Sequence, residues 1–220
     1  MKKPPTHSAA ADQPPQPPQS AQSGSIDLAI QSMTFAAQLS SSPAAVAGAQ
    51  AEPTPETDDR STARLPSGRK IIVQSGVVPF RVDPAGRVWF MLITNRRGDW
   101  IVPKGMIQST MTPEQSALNE ALEEAGILGA VTGPSIGAYT VMKSDLLCRV
   151  DLFAMRVERT LPRWLEQDER ERDWFSADDA VERVHSAELR RVITALARTL
   201  ANAARHELDT RSTDQSYRAA

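Results

Sequence analysis

One short stretch of the chain ends with more negative charge than the end of a helix normally tolerates. Residues 113–125 have the composition of a helix, and Gly126 suits the left-handed position that terminates many helices. Glu120, Glu123 and Glu124 fall near this end, and no lysine or arginine follows within the next turn. Because the helix dipole is negative there, each exposed carboxylate costs about 0.3–1 kcal/mol.

The start of this helix is marked as clearly as its end. Thr112 followed by Pro113 predicts an N-cap and a first helical residue, and Gln115 completes a capping-box pattern. At about 100° per residue, the helix is expected to divide into two faces. The three glutamates are predicted on one face, and the side that packs on a sheet is predicted to carry Ala117, Leu118, Ala121, Leu122 and Ala125.

Two interpretations of the three carboxylates are open at this point. In the first, they form a solvated acidic helix end, which is common on protein surfaces. In the second, a divalent cation supplies the missing positive charge, and hard oxygen ligands suit Mg²⁺ or Mn²⁺. The cluster alone does not decide between them, because like charges three and four positions apart destabilise a helix in either case.

The chain changes character near residue 66. Residues 1–66 hold ten of the sixteen prolines and none of the four tryptophans, which predicts a disordered arm rich in Pro, Ala, Ser and Gln. Within it, residues 25–40 have apolar residues at helical spacing, typical of either a transient helix or a docking helix for a protein partner. A globular domain is predicted over 67–206, and a polar, frayed tail over 207–220.

The globular part alternates strand and helix patterns. Two apolar runs flank the turn signal at 83–86 and predict a hairpin, and a short strand is predicted before the glutamate helix. Two longer strands follow it, and then a strand that enters a helix through the cap candidate Ser176. The last helix is predicted from about Ser186, with an apolar stripe of Leu189, Val192, Ile193, Leu196 and Leu200. This order predicts an α/β fold, a mixed sheet with helices packed on it.

Composition excludes several classes of protein. The formal net charge is −2 over 220 residues, which gives no reason to expect a nucleic-acid or membrane partner. The single cysteine, Cys148, allows no internal disulfide and is interpreted as a core residue of a strand. It lies in no recognisable nucleophile motif, and the three histidines lie in no metal motif. No apolar run is long enough to span a membrane, so the expected location is the cytoplasm.

The residues on either side of the glutamates extend the pattern. The stretch "GMIQSTMTPEQSALNEALEEAGI" resembles the Nudix box, G-x5-E-x7-R-E-U-x-E-E-x-G-U, in which U is a bulky apolar residue. Without a gap, the chain matches this pattern at Gly105, Glu120, Glu123, Glu124, Gly126 and Ile127. Chance agreement of spacing over 23 positions is improbable, so the chain is identified as a member of the Nudix hydrolase family.

The departures from the box are informative. Met111 stands where the pattern has its first Glu, Asn119 stands where it has Arg, and Ala121 is small for the apolar position. In the family, that Glu and Arg are thought to brace the loop against the helix and to aim the metal-binding carboxylates. Both are absent together here, which avoids stranding one unpaired charge near the site. The fold is expected to survive, and the orientation of Glu120 is what the change puts in question.

The resemblance implies a fold, a reaction and a set of site residues. The fold would be a Nudix-type α/β/α sandwich, and the reaction would be hydrolysis of a pyrophosphate bond in a small-molecule polyphosphate. Glu120 and Glu124 would hold Mg²⁺ (or Mn²⁺), with the carbonyl oxygen of Gly105 as a further ligand. Glu123, together with Glu120, is the catalytic candidate, as the base or as a ligand of a second metal ion.

A polyphosphate substrate also needs cations around it. Lys104 is adjacent to Gly105 and is the strongest candidate, followed by Arg96 and Arg97 in the loop before it, whose alternative role is ordinary solvated charge. Arg149 lies within an apolar strand. Its two open interpretations are a contact with phosphate and a structural pair with an acid such as Asp151 or Glu158.

The resemblance extends over roughly residues 69 to 200 and favours one branch of the family. "WIVPKG", "CRVDLFAMRV" and "WLEQDERERDWFSADDAVERV" are similar to the diphosphoinositol polyphosphate phosphohydrolases and diadenosine polyphosphate hydrolases. Trp164 and Trp174 are interpreted as packing residues, with stacking on a base as the alternative. A second functional hypothesis is a weakly active or inactive Nudix domain that serves as a ligand sensor or scaffold.

Overall fold

The computed structural model describes residues 61–64, 68, 70–143 and 146–218. Its strands are β1 (Thr62–Arg64), β2 (Lys70–Val82), β3 (Val88–Thr94), β4 (Trp100–Ile101), β5 (Lys104–Met106), β6 (Ile127–Val131), β7 (Gly137–Lys143), β8 (Leu146–Thr160) and β9 (Arg172–Ser176). Its helices are α1 (Pro113–Ala125), α2 (Ala177–Arg183) and α3 (Ala187–Arg218). Within the described ranges, no helix is long and apolar enough to cross a membrane.

The strands form one mixed sheet around two long central strands. β2 pairs in parallel with β8, and every other strand pairing of the described residues is antiparallel. The order across the sheet is β4-β3-β2-β8-β6, with β1 and β5 also on β2, β7 on β8 and β9 on β3. The predicted hairpin is confirmed as β2 and β3, and its turn is closed by Asp83, which accepts the amide hydrogen atoms of Ala85 and Arg87 at 2.9 Å each.

Helices cover both faces of the sheet, because successive strand residues point to opposite sides. One face packs against α2 and α3, and the predicted stripe of α3 supplies Leu189, Ile193, Leu196 and Leu200 to this core. The other face packs against α1, with a core that includes Val77, Met91, Ile93, Ala117, Ala121, Ala125, Phe153 and Met155. The architecture is therefore the predicted α/β/α sandwich, and Cys148 is a buried strand residue as expected.

Several boundaries differ from the sequence-based expectations. The short strands β1, β5 and β6 were not expected, and β1 lies inside the segment that was assigned to the disordered arm. Helix α3 continues to Arg218, beyond the domain boundary that was predicted at residue 206. Residues 1–60, which contain the possible docking helix at 25–40, lie outside the described residues.

The expected division of α1 into two faces was wrong at two positions. Leu122 is 36% exposed, whereas Glu124 is buried with 3% exposure. Glu124 follows Ala117 by seven residues, which is about two full turns at the helical repeat, so both side chains point to the same side. The carboxylate of Glu124 therefore needs partners in the protein interior, because burying an unpaired charge is expensive.

Candidate active site

Gly105 places its backbone against the carboxylate of Glu120. β5 pairs with β2 so that Gly105 lies opposite Ser75, and α1 crosses over this point. A Cβ atom on Gly105 would lie 1.9 Å from Oε1 of Glu120 and 2.1 Å from its carboxyl carbon. Only glycine leaves room for this contact, which brings together two of the residues predicted as metal ligands.

Glu124 is held from two directions inside the protein. Its Oε2 atom accepts the backbone amide hydrogen of Lys104 at 2.8 Å, and its Oε1 atom accepts a hydrogen bond from the guanidinium of Arg170. Burial raises the pKa of Glu124, and the amide of Lys104 and the charge of Arg170 oppose that rise. The third predicted metal ligand thus lies beside the segment that carries Gly105.

Arg170 joins several elements at this point. Besides Glu124, it forms an ion pair with Glu166 and donates a hydrogen bond to the carbonyl oxygen of Thr94 at 3.2 Å. Its side chain is only 16% exposed. Arg170 therefore supplies positive charge to the acidic end of α1 from a position 46 residues further along the chain.

A second arginine stabilises the terminal carbonyl groups of α1. Arg172 donates hydrogen bonds to the carbonyl oxygens of Ala125, Gly126 and Leu161, the last two at 3.3 and 2.5 Å. Its guanidinium lies 3.8 Å from the ring centroid of Trp164, which gives Trp164 a packing role. A cation at the C-terminal end of a helix interacts favourably with the helix dipole.

The acidity of Glu120 is perturbed by its position in the cluster. Burial raises the pKa of its carboxyl group to about 7, and the negative charges of Glu124, Glu123 and Glu166 add to the effect. The charge of Lys104 acts in the opposite direction. A carboxylate in this position is poorly neutralised by the protein itself, so a further cation would favour its ionised form.

Glu123 lies half-buried next to these groups. Its Oε1 atom accepts a hydrogen bond from the side-chain amide of Asn119 at 2.9 Å, and its carbonyl oxygen accepts the amide hydrogen of Glu166 at 3.1 Å. Asn119, which stands in place of the box arginine, therefore orients the predicted catalytic base.

The predicted substrate-binding residues divide into two groups. The backbone of Lys104 is part of the carboxylate cluster. Arg96 forms an exposed ion pair with Glu169 at 3.0 Å, and Arg97 is exposed in the same turn. Arg149 pairs with Asp151 at 2.8 Å, one of the two acids considered from the sequence, and its side chain remains 54% exposed.

The donor atoms partly fit a divalent cation. In the part of the chain that the structure describes, no three His, Cys, Asp or Glu side chains converge as a metal site. The available set is instead Glu120, Glu124 and the backbone at Gly105. When all groups are ionised, the glutamates of the cluster carry two more charges than the cations that act on them. The glutamates are Glu120, Glu123, Glu124 and Glu166, and the cations are Lys104 and Arg170. That excess equals the charge of one dication.

Sequence reasoning missed the contacts that Glu166, Arg170 and Arg172 make with α1. Their segment, "WLEQDERERDW", is dense in alternating acids and arginines, which is the one signal that something there must pair with charge. The partners could not be assigned from spacing, because they lie on α1.

The fold and the site together are a mixed sheet between helices, with glutamates of one helix gathered on a glycine-containing strand. The family model described as the NUDIX domain matches residues 73–196, which is more than half of the chain, and the chain therefore belongs to this family. The match covers all the site residues discussed above.

Individual relatives agree with this assignment. The chain is 29% identical over 130 residues to "Nudix hydrolase 13, mitochondrial" of Arabidopsis thaliana, covering 49% of this chain and 64% of that protein. It is 29% identical over 104 residues to "Diphosphoinositol polyphosphate phosphohydrolase 3-alpha" of Mus musculus, covering 46% and 62%. The matches to these two relatives thus span less than two thirds of their length.

Solved structures show the same fold. The crystal structure of a C. elegans Ap4A hydrolase binary complex superposes with a TM-score of 0.51 at 20% identity, covering 60% of this chain and 99% of that one. At this identity the likeness establishes the fold.

Proposed function

We propose that this chain hydrolyses a pyrophosphate bond in a nucleoside polyphosphate, a dinucleoside polyphosphate or a diphosphoinositol polyphosphate, with Mg²⁺ or Mn²⁺ as cofactor. The observation that supports this most directly is the carboxylate of Glu120 lying against the backbone of Gly105, beside the buried Glu124. Surface acidic clusters are solvated, whereas this one is built into the interface between α1 and β5.

Each residue of the cluster has a distinct part in the proposed reaction. Glu120, Glu124 and the carbonyl oxygen of Gly105 would hold the metal ion, which neutralises phosphate charge and activates water when bound. Glu123 is the candidate base, because its half-buried carboxylate is oriented by Asn119 and can accept a proton from water. Glu120 is the alternative catalytic group.

The substrate class follows from the cations near this cluster and from the relatives. Lys104 is close enough to lower the pKa of Glu120 and of Glu124, so its charge also reaches a substrate phosphate there. Arg96, Arg97 and Arg149 are exposed cations that can bind further phosphates. The names of the relatives include a diphosphoinositol polyphosphate phosphohydrolase and an Ap4A hydrolase, which supports a polyphosphate substrate.

The test is a panel of polyphosphates assayed with Mg²⁺ or Mn²⁺, in which release of phosphate or nucleotide is measured. Glu120→Gln and Glu124→Gln are each expected to lower kcat/KM by about 100-fold or more, because each removes a group that acts on developing charge. Glu114→Gln, in the first turn of the same helix, is the matched control and is expected to retain activity. Turnover that survives both active-site changes would refute the assignment.

A second candidate function is a weakly active or inactive Nudix domain that senses or presents a ligand. Met111 and Asn119 replace the family brace, and Arg170 already binds Glu124, which favours this alternative. It predicts binding of polyphosphate or metal without turnover. Met111→Glu combined with Asn119→Arg tests it, since a large gain in rate would mean that the present site is impaired.

Location and partners remain predictions. The cytoplasm and the absence of nucleic-acid or membrane partners were expected from composition, and a protein partner for residues 25–40 was considered there. The relative from Arabidopsis thaliana has "mitochondrial" in its name, so fractionation of cells that express the full chain is the appropriate measurement.

A further inference from the structure

We propose that Arg170 is a positioning residue for Glu124 and replaces the brace that Met111 and Asn119 cannot form. The proposal rests on the proposed function, because it concerns how a metal-binding carboxylate is aimed. The family brace would come from within the box, whereas Arg170 comes from the segment between β8 and β9. The two solutions act on the same helix from different parts of the chain.

The first step is that Glu124 needs an external restraint. Its carboxylate is buried in the last turn of α1, and the backbone amide of Lys104 engages only Oε2. One hydrogen bond leaves the carboxylate plane free to rotate about that contact. The guanidinium of Arg170 engages Oε1, so the two partners together fix both oxygen atoms.

The second step is that Arg170 is itself fixed. Its guanidinium donates to the carbonyl oxygen of Thr94 at 3.2 Å and pairs with Glu166. Thr94 and Glu171 are joined by two further bonds, from the amide of Glu171 to the Thr94 hydroxyl and from the amide of Thr94 to the Glu171 carbonyl, each at 2.9 Å. Arg170 is therefore anchored to the end of β3, which is a rigid part of the sheet.

The third step is that Arg170 leaves Glu124 able to bind a cation. A carboxylate offers about four lone-pair positions, and Lys104 and Arg170 use one on each oxygen. When all groups are ionised, the four glutamates of the cluster still carry two more charges than Lys104 and Arg170 together. Hydrogen bonds to a ligating carboxylate from outside the metal shell typically change affinity or activity by about 10–100-fold.

The experiment measures Mn²⁺ affinity by calorimetry on the full chain without substrate. Arg170→Gln is expected to weaken Mn²⁺ binding about 10–100-fold relative to the wild-type chain. Arg170→Lys, which keeps the charge but loses the planar donor pair, is expected to restore part of that loss. Arg183→Gln is the matched control, because Arg183 pairs with Asp179 on α2 and touches none of the site.

A rescue separates positioning from a general structural role. Met111→Glu with Asn119→Arg rebuilds the family brace and is expected to recover Mn²⁺ affinity in the Arg170→Gln background. In the metal-free protein, amide hydrogen exchange at Lys104 is expected to accelerate in Arg170→Gln and not in Arg183→Gln, because the acceptor Glu124 is no longer held.

The outcomes distinguish the proposal from the proposed function. Mn²⁺ binding that is unchanged or tighter in Arg170→Gln overturns the proposal, since tighter binding would show that Arg170 competes with the metal, and the function would stand. Failure of the rebuilt brace to rescue also overturns it. A wild-type chain with neither Mn²⁺ uptake nor turnover overturns the function first, and the positioning role with it.

Discussion

The two ends of helix α1 are stabilised in different ways. At the start, Thr112 and Gln115 exchange hydrogen bonds of 2.9 and 3.2 Å between side chain and backbone, three positions apart. At the end, the backbone turns through Gly126 with φ of 59°, and the carbonyl groups there bind Arg172, which is 47 residues from Ala125. Both ends carry a local cap, and the acidic end gains in addition an arginine that reaches it only in the folded domain.

The proposed chemistry lies at the end that depends on the fold. The distant arginines allow Glu120, Glu123 and Glu124 to accumulate where the helix dipole opposes them. Burial and the neighbouring carboxylates still raise the pKa of Glu120 to about 7. Part of the positive charge that the sequence seemed to lack is supplied by Arg170 and Arg172.

Gly105→Ala is expected to have the largest effect, and it acts only on the acidic end. The new Cβ would overlap the carboxylate of Glu120, whose flexible side chain must move away. Misplacement of about 1 Å is enough to lower kcat/KM about 100-fold. The melting temperature should change little, because a movable side chain absorbs the clash.

The matched control for this substitution is Gly86→Ala, in the turn between β2 and β3. Gly86 has φ of 78°, so alanine should cost about 1 kcal/mol of stability and leave kcat/KM unchanged. Equal activity loss in both variants would contradict the local role of Gly105.

Arg172→Ala is expected to destabilise the folded protein by about 2–3 kcal/mol. The change removes charged hydrogen bonds to three carbonyl groups and the stacking on Trp164. Chemical denaturation measures the difference. The control Arg183→Ala breaks a partly exposed ion pair and should cost less than about 1 kcal/mol. An equal loss of stability in both variants would contradict a specific role of Arg172 at the end of α1.

Thr112→Ala is expected to cost about 1 kcal/mol, because only a local cap is lost. The free energy of unfolding from urea titration gives the value. Thr199→Ala is a suitable comparison, since Thr199 lies inside α3 and its hydroxyl bonds only its own helix. If Thr112→Ala lowered the free energy of unfolding more than Arg172→Ala does, the start of α1 would contribute more stability than its end, contrary to this prediction.

A further predicted effect is a dependence of stability on pH in the metal-free protein. The pKa of Glu120 is about 7 when folded and 4.5 ordinarily, so the folded chain binds more protons between these values. Its contribution to stability is present below about 4.5 and is lost as the pH rises through about 7. Melting temperatures in EDTA at about pH 5.5 and about pH 8.5 should differ more for the wild type than for Glu120→Gln. The same difference in both proteins would contradict the shift.

Local signals accounted for much of the fold. The hairpin of β2 and β3, the capping box at Thr112 and the buried stripe of α3 follow from spacing and turn chemistry within a few residues. The structure also brings Gly105, Glu120 and Glu124 close together, and their roles as metal ligands stay predictions.

Long-range contacts accounted for what the sequence did not reveal. β6 is short and contains a glycine, and it forms by pairing with β8. The register of this pairing shifts between Leu128 and Gly129 of β6. Arg170 could not be paired with Glu124 from spacing, since the contact exists only after the sheet positions the intervening segment. Arg149 pairs with Asp151 in the structure, and its contact with phosphate stays a prediction.

The segment from Leu161 to Arg172 and helix α1 behave as a matched set. The segment supplies the partners of Glu124 and of the carbonyl groups of Ala125 and Gly126, and its Glu166 binds back to Glu123. A chimera that takes the box from one homologue and this segment from another would separate charges that pair in this structure. Recombination and design within this fold should therefore exchange the two pieces jointly.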